Sequence, residues 1–285
     1  ASEASEEDKR QLNHLLRGAE AADEAAFVAA LAAELGVGVT IGERDVAALA
    51  HDYSVGLPAA ARAARYAFLA EVAFAENADA VVVAHQAEDQ AETVLLHLVR
   101  GAGPSGLSGM APRLEWAEWR HTAGRSERVG PALVRPLLYT TRDENEAYCA
   151  AHSLEPRRDP TNDATEYRRG KLRHQILPML HELNPQIVEA LGRTARLAAQ
   201  ERDYMQRELA DAWPELIVAE AGAIHVPKAR WEALHPALQR LALRDIVAEL
   251  RPEREALSAT QIDQTLAAIG RGQVVQRLPN NLVLH

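Results

Sequence analysis

Residues 84–100 read AHQAEDQAETVLLHLVR, and the reading of the whole chain turns on this stretch. It follows the apolar run of residues 78–83, ADAVVV, which predicts a buried strand. It opens a helix whose first turns carry His85, Glu88, Asp89 and Glu92. A spacing of four from His85 to Asp89, and of three from Asp89 to Glu92, places these groups on one helical face. Carboxylates at the start of a helix that leaves a parallel strand lie at the carboxyl edge of the sheet, where open α/β folds bind ligands. A plainer reading stands beside it: acids in a first turn complement the helix dipole.

Composition narrows the class. The chain has 285 residues, room for one large domain or two ordinary ones, and 47% of them are hydrophobic, ample for a core. No apolar run reaches the ~20 residues of a membrane span. Residues 1–11, ASEASEEDKRQ, are polar and show no secretory signal. One cysteine, Cys149, excludes an internal disulfide and reads as a packed small residue. Together these features predict a cytoplasmic protein. The formal net charge of −10 argues against a general nucleic-acid binder. The charge is uneven, however. Residues 157–173, RRDPTNDATEYRRGKLR, hold Arg157, Arg158, Arg168, Arg169, Lys171 and Arg173. Such a patch can hold phosphates on an acidic protein, because screening confines each charge to roughly 8–10 Å.

Around the opening stretch, strands and helices alternate. Helices are expected at 23–35, ended by Gly36, and at 58–76, with Pro58 in the first turn. Strands are expected at 37–41 and 79–84. This order implies a parallel sheet covered on both faces. Residues 101–130 are rich in Gly and read as one long loop, of the kind that is functional or disordered. A strand at 133–138 is interrupted by Pro136 and is expected to end there or lie at an edge. Thr141 and Glu144 form a capping box for a helix to His152. Beyond Tyr167 the pattern is helical: a long helix from Asn184-Pro185 to about 212, then helices at 231–250 and 258–269. A short strand at 223–226 and a terminal hairpin at 274–284 complete it. The expected domains are 1–185 and a smaller, mainly helical 186–285.

Three constellations carry candidate chemistry. The carboxylates Asp89 and Glu92 suit magnesium, which takes oxygen ligands, or an amine held by charge-assisted hydrogen bonds. In ARAARYAFL, Arg62 and Arg65 lie nearly one turn apart beside Tyr66; an exposed helix face explains them equally. In DPTNDATEYRRGKLR, turn chemistry leads into Arg169 and Arg173, four apart, a pair able to grip a phosphate or carboxylate.

Taken together these segments resemble the tRNA(Ile)-lysidine synthetase family of the PP-loop (N-type) ATP pyrophosphatases. The matching residues are Asn13-His14-Leu15-Leu16-Arg17-Gly18, Ala61-Arg62 with Arg65-Tyr66, and His85 through Thr93 with Arg100-Gly101. Arg135-Pro136-Leu137, Asp159-Pro160-Thr161-Asn162, Tyr167, Arg169, Arg173 and Leu177-Pro178 follow in the family's order. The resemblance covers about residues 12–200. It implies an adenine nucleotide alpha hydrolase-like α/β domain followed by a small helical domain that helps hold tRNA. It implies adenylation of C2 of cytidine 34 in the CAU anticodon of tRNA(Ile), with ATP and Mg2+, followed by displacement of AMP by the amine of free L-lysine. Carried over, His85, Asp89 and Glu92 are the catalytic residues. Asp89 and Glu92 also sit at the metal, and Arg65, Asn162, Arg169 and Arg173 face lysine, nucleotide or tRNA.

The chain departs from the family's pattern in three places. No Ser-Gly-Gly occurs, so the SGGxDS phosphate loop and the strand before it, which belong N-terminal to Asn13, are expected to be missing from this chain, and ATP turnover with them. Ala84 replaces a Gly before the His, and Glu88 an Asp. Gly170 stands where an Asn follows the Arg. Two other readings remain open: a degenerate homologue that binds tRNA without catalysis, and another PP-loop tRNA-modifying enzyme such as a thiolase. The single Cys149 and the lack of a Cys-x-x-Cys pair count against the thiolase.

Overall fold

The computed structural model describes residues 9–13, 19–119, 130–156, 168–220, 223–251, 257–271, 276–278 and 282–284. Its contacts divide the chain into two compact units, Ala1–Ala84 with Pro112–Pro136, and His85–Ala111 with Leu137–His285.

In the first unit, strand β1 (Lys9–Asn13) pairs in parallel with β2 (Val39–Glu43), Lys9 opposite Val39. Helix α1 (Ala19–Leu35) connects them. β1 is absent from the sequence-based expectation because KRQLN is polar and lacks the alternation that marks a strand. Helix α2 (Val46–Asp52) is capped by Asp45, whose side chain accepts from the Ala48 N–H at 2.9 Å. Helix α3 (Leu57–Ala75) starts on Pro58 as expected. It packs Tyr66, Ala70 and Ala73 into a cluster with Val81, Leu133 and Trp119.

The second sheet of this unit has the order β3-β5-β4. β3 (Ala80–Val82) and β5 (Ala132–Val134) are parallel; β4 (Arg113–Leu114) runs antiparallel to β5. The α/β class holds, with a mixed sheet in place of an all-parallel one, because β4 pairs antiparallel with β5. The expectation that residues 78–83 are buried throughout is corrected: Val81 is buried while Val82 is 65% exposed. Successive side chains alternate between the sheet's faces, so Val81 packs with Tyr66 and Leu133 while Val82 turns to the other face. β5 stops at Val134, and the Arg135 N–H donates to the Pro112 carbonyl at 2.8 Å, so pairing ends just before Pro136.

The second unit is helical. α4 (Ala87–Val99), α5 (Pro104–Leu107) and α6 (Arg142–Ala151) come first. α7 (Arg168–Lys171) then passes through a π-helical turn (Leu172–Ile176) into α8 (Leu177–Leu183). Ala91 and Leu95 of α4 pack on Leu172 and Leu177 there. The long α9 (Ile187–Leu216) leads to a hairpin of β6 (Val218–Glu220) and β7 (Ala223–His225). Next come α10 (Lys228–Ala233), α11 (Pro236–Leu250), α12 (Ala259–Gly270) and a closing hairpin of β8 (Gln276–Leu278) and β9 (Leu282–Leu284). The single helix expected at 231–250 is two, because Pro236 has no N–H to continue the first and instead starts the second. Leu209, Leu216, Trp231, Leu243 and Ile262 form the core of this end. No helix is long and apolar enough to cross a membrane among the described residues.

Residues 101–111 are not the open loop expected from their glycines. α4 ends at Val99, and Gly101 (φ 73°) turns the chain. The His97 ring Nδ1 lies 2.7 Å from the Gly106 carbonyl. Gln90, 2% exposed, then grips Met110 from both sides: its Nε2 donates to the Met110 carbonyl (3.0 Å) and its Oε1 accepts from the Met110 N–H (2.8 Å). This amide sits against Gly109, whose φ is +60° and where an added Cβ would lie 2.6 Å from Gln90 Oε1. Gly109→Ala is therefore expected to destabilise the protein by about 1–3 kcal/mol in urea unfolding. Gly192→Ala, within α9 and with nothing within 4 Å of the added Cβ, is expected to be neutral or stabilising by up to about 1 kcal/mol.

Candidate active site

The start of α4 is built from its own cap outward. Gln86 is the N-cap in extended conformation, and its backbone N–H donates to Asp89 Oδ2 at 3.0 Å. The helix therefore begins after His85. His85 is half-buried ahead of the cap, so the expectation that it shares a helical face with Asp89 is corrected: an extended Gln86 breaks the spacing argument. Asp89, Glu92 and Thr93 do share a face.

That face meets the arginines of the segment after residue 167. Arg173 Nε donates to Glu92 Oε1 at 2.6 Å, and its guanidinium lies 3.4 Å from Asp89 Oδ1. An Arg169 guanidinium nitrogen donates to Thr93 Oγ1 at 3.2 Å, while that hydroxyl donates to the Asp89 carbonyl at 2.7 Å. Arg169 and Arg173 thus act together as expected, but on α4. Asp89 satisfies both readings of a first-turn acid, since one oxygen caps and the other pairs. Glu92 is different. It lies beyond the cap, its side chain is 1% exposed, and an ionised carboxylate is not buried so deeply without a partner. Burial pushes the Glu92 carboxyl above its usual range, against the pull of Arg173. Burial disfavours the Arg173 cation, and the Glu92 hydrogen bond with the charges of Glu92, Asp89 and Glu88 more than offsets this, raising its pKa.

A resident magnesium ion does not fit this pair with Arg173 in place. Magnesium needs carboxylate oxygens at about 2.0–2.1 Å. Both Asp89 oxygens and Glu92 Oε1 are already engaged, by the Gln86 N–H and by Arg173. The guanidinium stands where a cation would. No cluster of three or more His, Cys, Asp or Glu able to hold a metal occurs among the described residues.

Three neighbours escaped the sequence reading. Glu88 Oε1 accepts from the Arg142 N–H at the start of α6 (2.9 Å), Gln86 Oε1 accepts from Asn145 Nδ2 (3.0 Å), and the Ala87 N–H donates to the Thr140 carbonyl (3.0 Å). These bonds fix the entry of α4 against α6, and they give the Glu at position 88 a structural task. Gln90 holds the following loop. No local pattern could have revealed these bonds, because their partners lie 20 to 59 positions away. Of the other expected residues, Arg65 is exposed on α3, in the first unit, and Asn162 lies outside the described residues.

The raised Glu92 gives a signed pH expectation. Its folded-state proton affinity exceeds that of the unfolded chain, so its contribution to stability is fully present below about pH 4.5 and is lost as pH rises through the raised value. Unfolding free energies of the wild type relative to Glu92→Gln, measured across pH 4–8, should decline upward through that window. A flat or rising difference would show that Arg173 outweighs burial.

Comparison with known proteins places these features. A PP-loop domain family matches residues 9–180. A tRNA(Ile)-lysidine synthase of Dehalococcoides mccartyi is 35% identical over 91% of this chain and 54% of its own length. Another, of Geobacter sulfurreducens, is 38% identical over 75% and 43%. A third, of Salinispora tropica, is 37% identical over 80% and 65%. The chain therefore spans about half the length of the curated relatives it matches. Among solved structures, a U34-tRNA thiolase of Methanococcus maripaludis with its 4Fe-4S cluster superposes with a TM-score of 0.51 at 16% identity, over 67% of this chain and 61% of that one, a likeness of fold. With its matched domain running through both α4 and the arginine segment, this chain belongs to the PP-loop domain family.

Proposed function

We propose that the chain is the catalytic part of a tRNA(Ile)-lysidine synthase, a cytoplasmic ligase that joins L-lysine to C2 of cytidine 34 in the CAU anticodon of tRNA(Ile) at the expense of ATP. The observation that carries this is the buried Glu92, paired with Asp89 and Arg173 on the first turns of α4. The curated relatives named above support the choice of reaction.

The chemistry has two steps. The C2 oxygen of the cytidine attacks the α-phosphorus of ATP and pyrophosphate leaves. The lysine amine then attacks C2 and AMP leaves with that oxygen. The second step needs a neutral amine, so a proton must go from the ammonium to a base. Glu92 suits this task because burial raises its proton affinity toward that of a useful base. Asp89, fixed by the Gln86 N–H, orients the amine, and His85 lines the reacting centre. Arg173 holds both carboxylates in register, and Arg169, Arg65 and Asn162 serve the anionic groups of lysine, nucleotide or tRNA. We assign residues 1–185 to the catalytic domain and 186–285 to a domain that helps hold the tRNA.

The test is transfer of labelled lysine to a tRNA(Ile) transcript bearing CAU, using the longest reading frame that contains this chain. Asp89→Ala should reduce transfer at least 100-fold while costing only about 1 kcal/mol of stability through the lost cap. Transfer at the wild-type rate in that variant would remove Asp89 from the site. No transfer by the intact protein, with tRNA binding retained, would favour a tRNA-binding homologue without catalysis.

A further inference from the structure

The proposed reaction brings a cationic amine to Asp89 and Glu92, yet in this structure a cation of the protein already stands there. Arg173 Nε donates to Glu92 Oε1 at 2.6 Å, and a second guanidinium nitrogen reaches toward Asp89 Oδ1 at 3.4 Å. The other Asp89 oxygen is taken by the Gln86 N–H. The Glu92 side chain is 1% exposed, so no solute touches it unless a neighbour moves. The neighbours differ in how easily they move. Ala91 and Leu95 belong to α4 itself and pack with Leu172 and Leu177. Arg173, by contrast, reaches solvent: its side chain is 23% exposed, on a flexible stem carried by the π-helical turn. The fit of the guanidinium is also incomplete. A charge-assisted N–H···O bond measures about 2.7–2.9 Å, and the Asp89 contact is longer than that. The planar fork therefore satisfies Glu92 and holds Asp89 loosely. An ammonium carries three rotatable donors on one nitrogen and can bridge two carboxylates that share a helical face.

We infer that the Arg173 guanidinium is an internal stand-in for the substrate amine: an alkylammonium enters the Asp89–Glu92 pair by displacing it, and a solute without a cationic N–H head does not. The inference rests on the lysidine synthase reading for the identity of that amine as L-lysine. Arg173 holds the two carboxylates in register until the amine takes them over. Exchange is the favourable route because simple opening would leave the buried Glu92 without a counter-charge, whereas a cation that replaces a cation keeps it paired. The same exchange makes the arginine a selectivity device. A neutral solute of the same shape that pushed Arg173 aside would strand two carboxylates, and that cost counts against it alone.

The experiment follows the Arg173 Nε–H signal by NMR in protein carrying isotope-labelled arginine, the signal being identified by its loss in Arg173→Lys. L-lysine, n-butylammonium and the neutral n-butanol are each titrated over the millimolar range. Ionic strength is held constant with tetramethylammonium chloride, a cation that has no N–H. Both amines should shift or broaden the signal saturably and speed its hydrogen exchange about ten-fold or more, since exchange then proceeds from the displaced side chain. n-Butanol should leave it unchanged. In parallel, n-butylammonium should raise the Tm of Arg173→Gln more than that of the wild type, because in the variant it supplies the missing charge and displaces nothing. A side chain that merely braced the fold would show no such difference. If Arg173→Gln does not fold, the wild-type titration decides. A signal untouched by both amines overturns the inference, as does an equal response to n-butanol or equal stabilisation of the two proteins. If n-butylammonium displaces Arg173 and L-lysine does not, the exchange stands and the lysine reading falls. If lysine is transferred to the CAU-bearing transcript while neither amine moves the signal, the reading of the reaction stands and the exchange falls.

Discussion

The ion pair of Arg173 with the buried Glu92 is the constraint on which the rest of the site depends. Glu92 is flanked on α4 by Ala91 and Leu95, which face the core formed with Leu172 and Leu177. Those two leucines bracket Arg173 in the chain, at the start of the π-helical turn and just after it. Hydrophobic packing and charge neutralisation are therefore one arrangement: the leucines seat the turn and the turn delivers the guanidinium. A buried pair of this kind is costly to break from one side, because the survivor keeps its charge without its partner. π-helical turns recur at functional sites, where the wider turn re-aims a side chain.

α4 is fixed at every turn. Its entry is tied to α6 through Gln86, Ala87 and Glu88; its middle grips Met110 through Gln90; its end meets Gly106 through His97. A helix held this way presents Asp89 and Glu92 with little freedom, and a site gains rate from groups that need no reorganisation. The bonds that hold it join side chains and backbone groups from three other segments, which gives direction as well as energy.

Much of this was legible in the sequence, for identifiable reasons. α3 and α6 follow from local signals: Pro58 in a first turn, and the Thr141/Glu144 capping box. The carboxylate face of Asp89 and Glu92 follows from helical spacing, and the arginines that meet it from their motif. What was not legible depends on distant partners or on weak local signals. β1 is too polar to announce itself. His85 falls off the helical face because Gln86 takes the cap. Residues 101–111 fold because Gln90 clamps them. The placement of Arg173 against Glu92 falls within the π-helical turn, which no periodicity predicts.

In the proposed function Glu92 and Asp89 serve the lysine amine. The most direct measurement is the lysine dependence of transfer to a CAU-bearing transcript, with pyrophosphate release followed in parallel, in the intact protein and its Glu92→Gln variant. The variant is expected to show a large fall in kcat/KM for lysine with pyrophosphate release little changed, since adenylation precedes the amine. Unaltered lysine dependence, or loss of pyrophosphate release to the same degree as transfer, would contradict it.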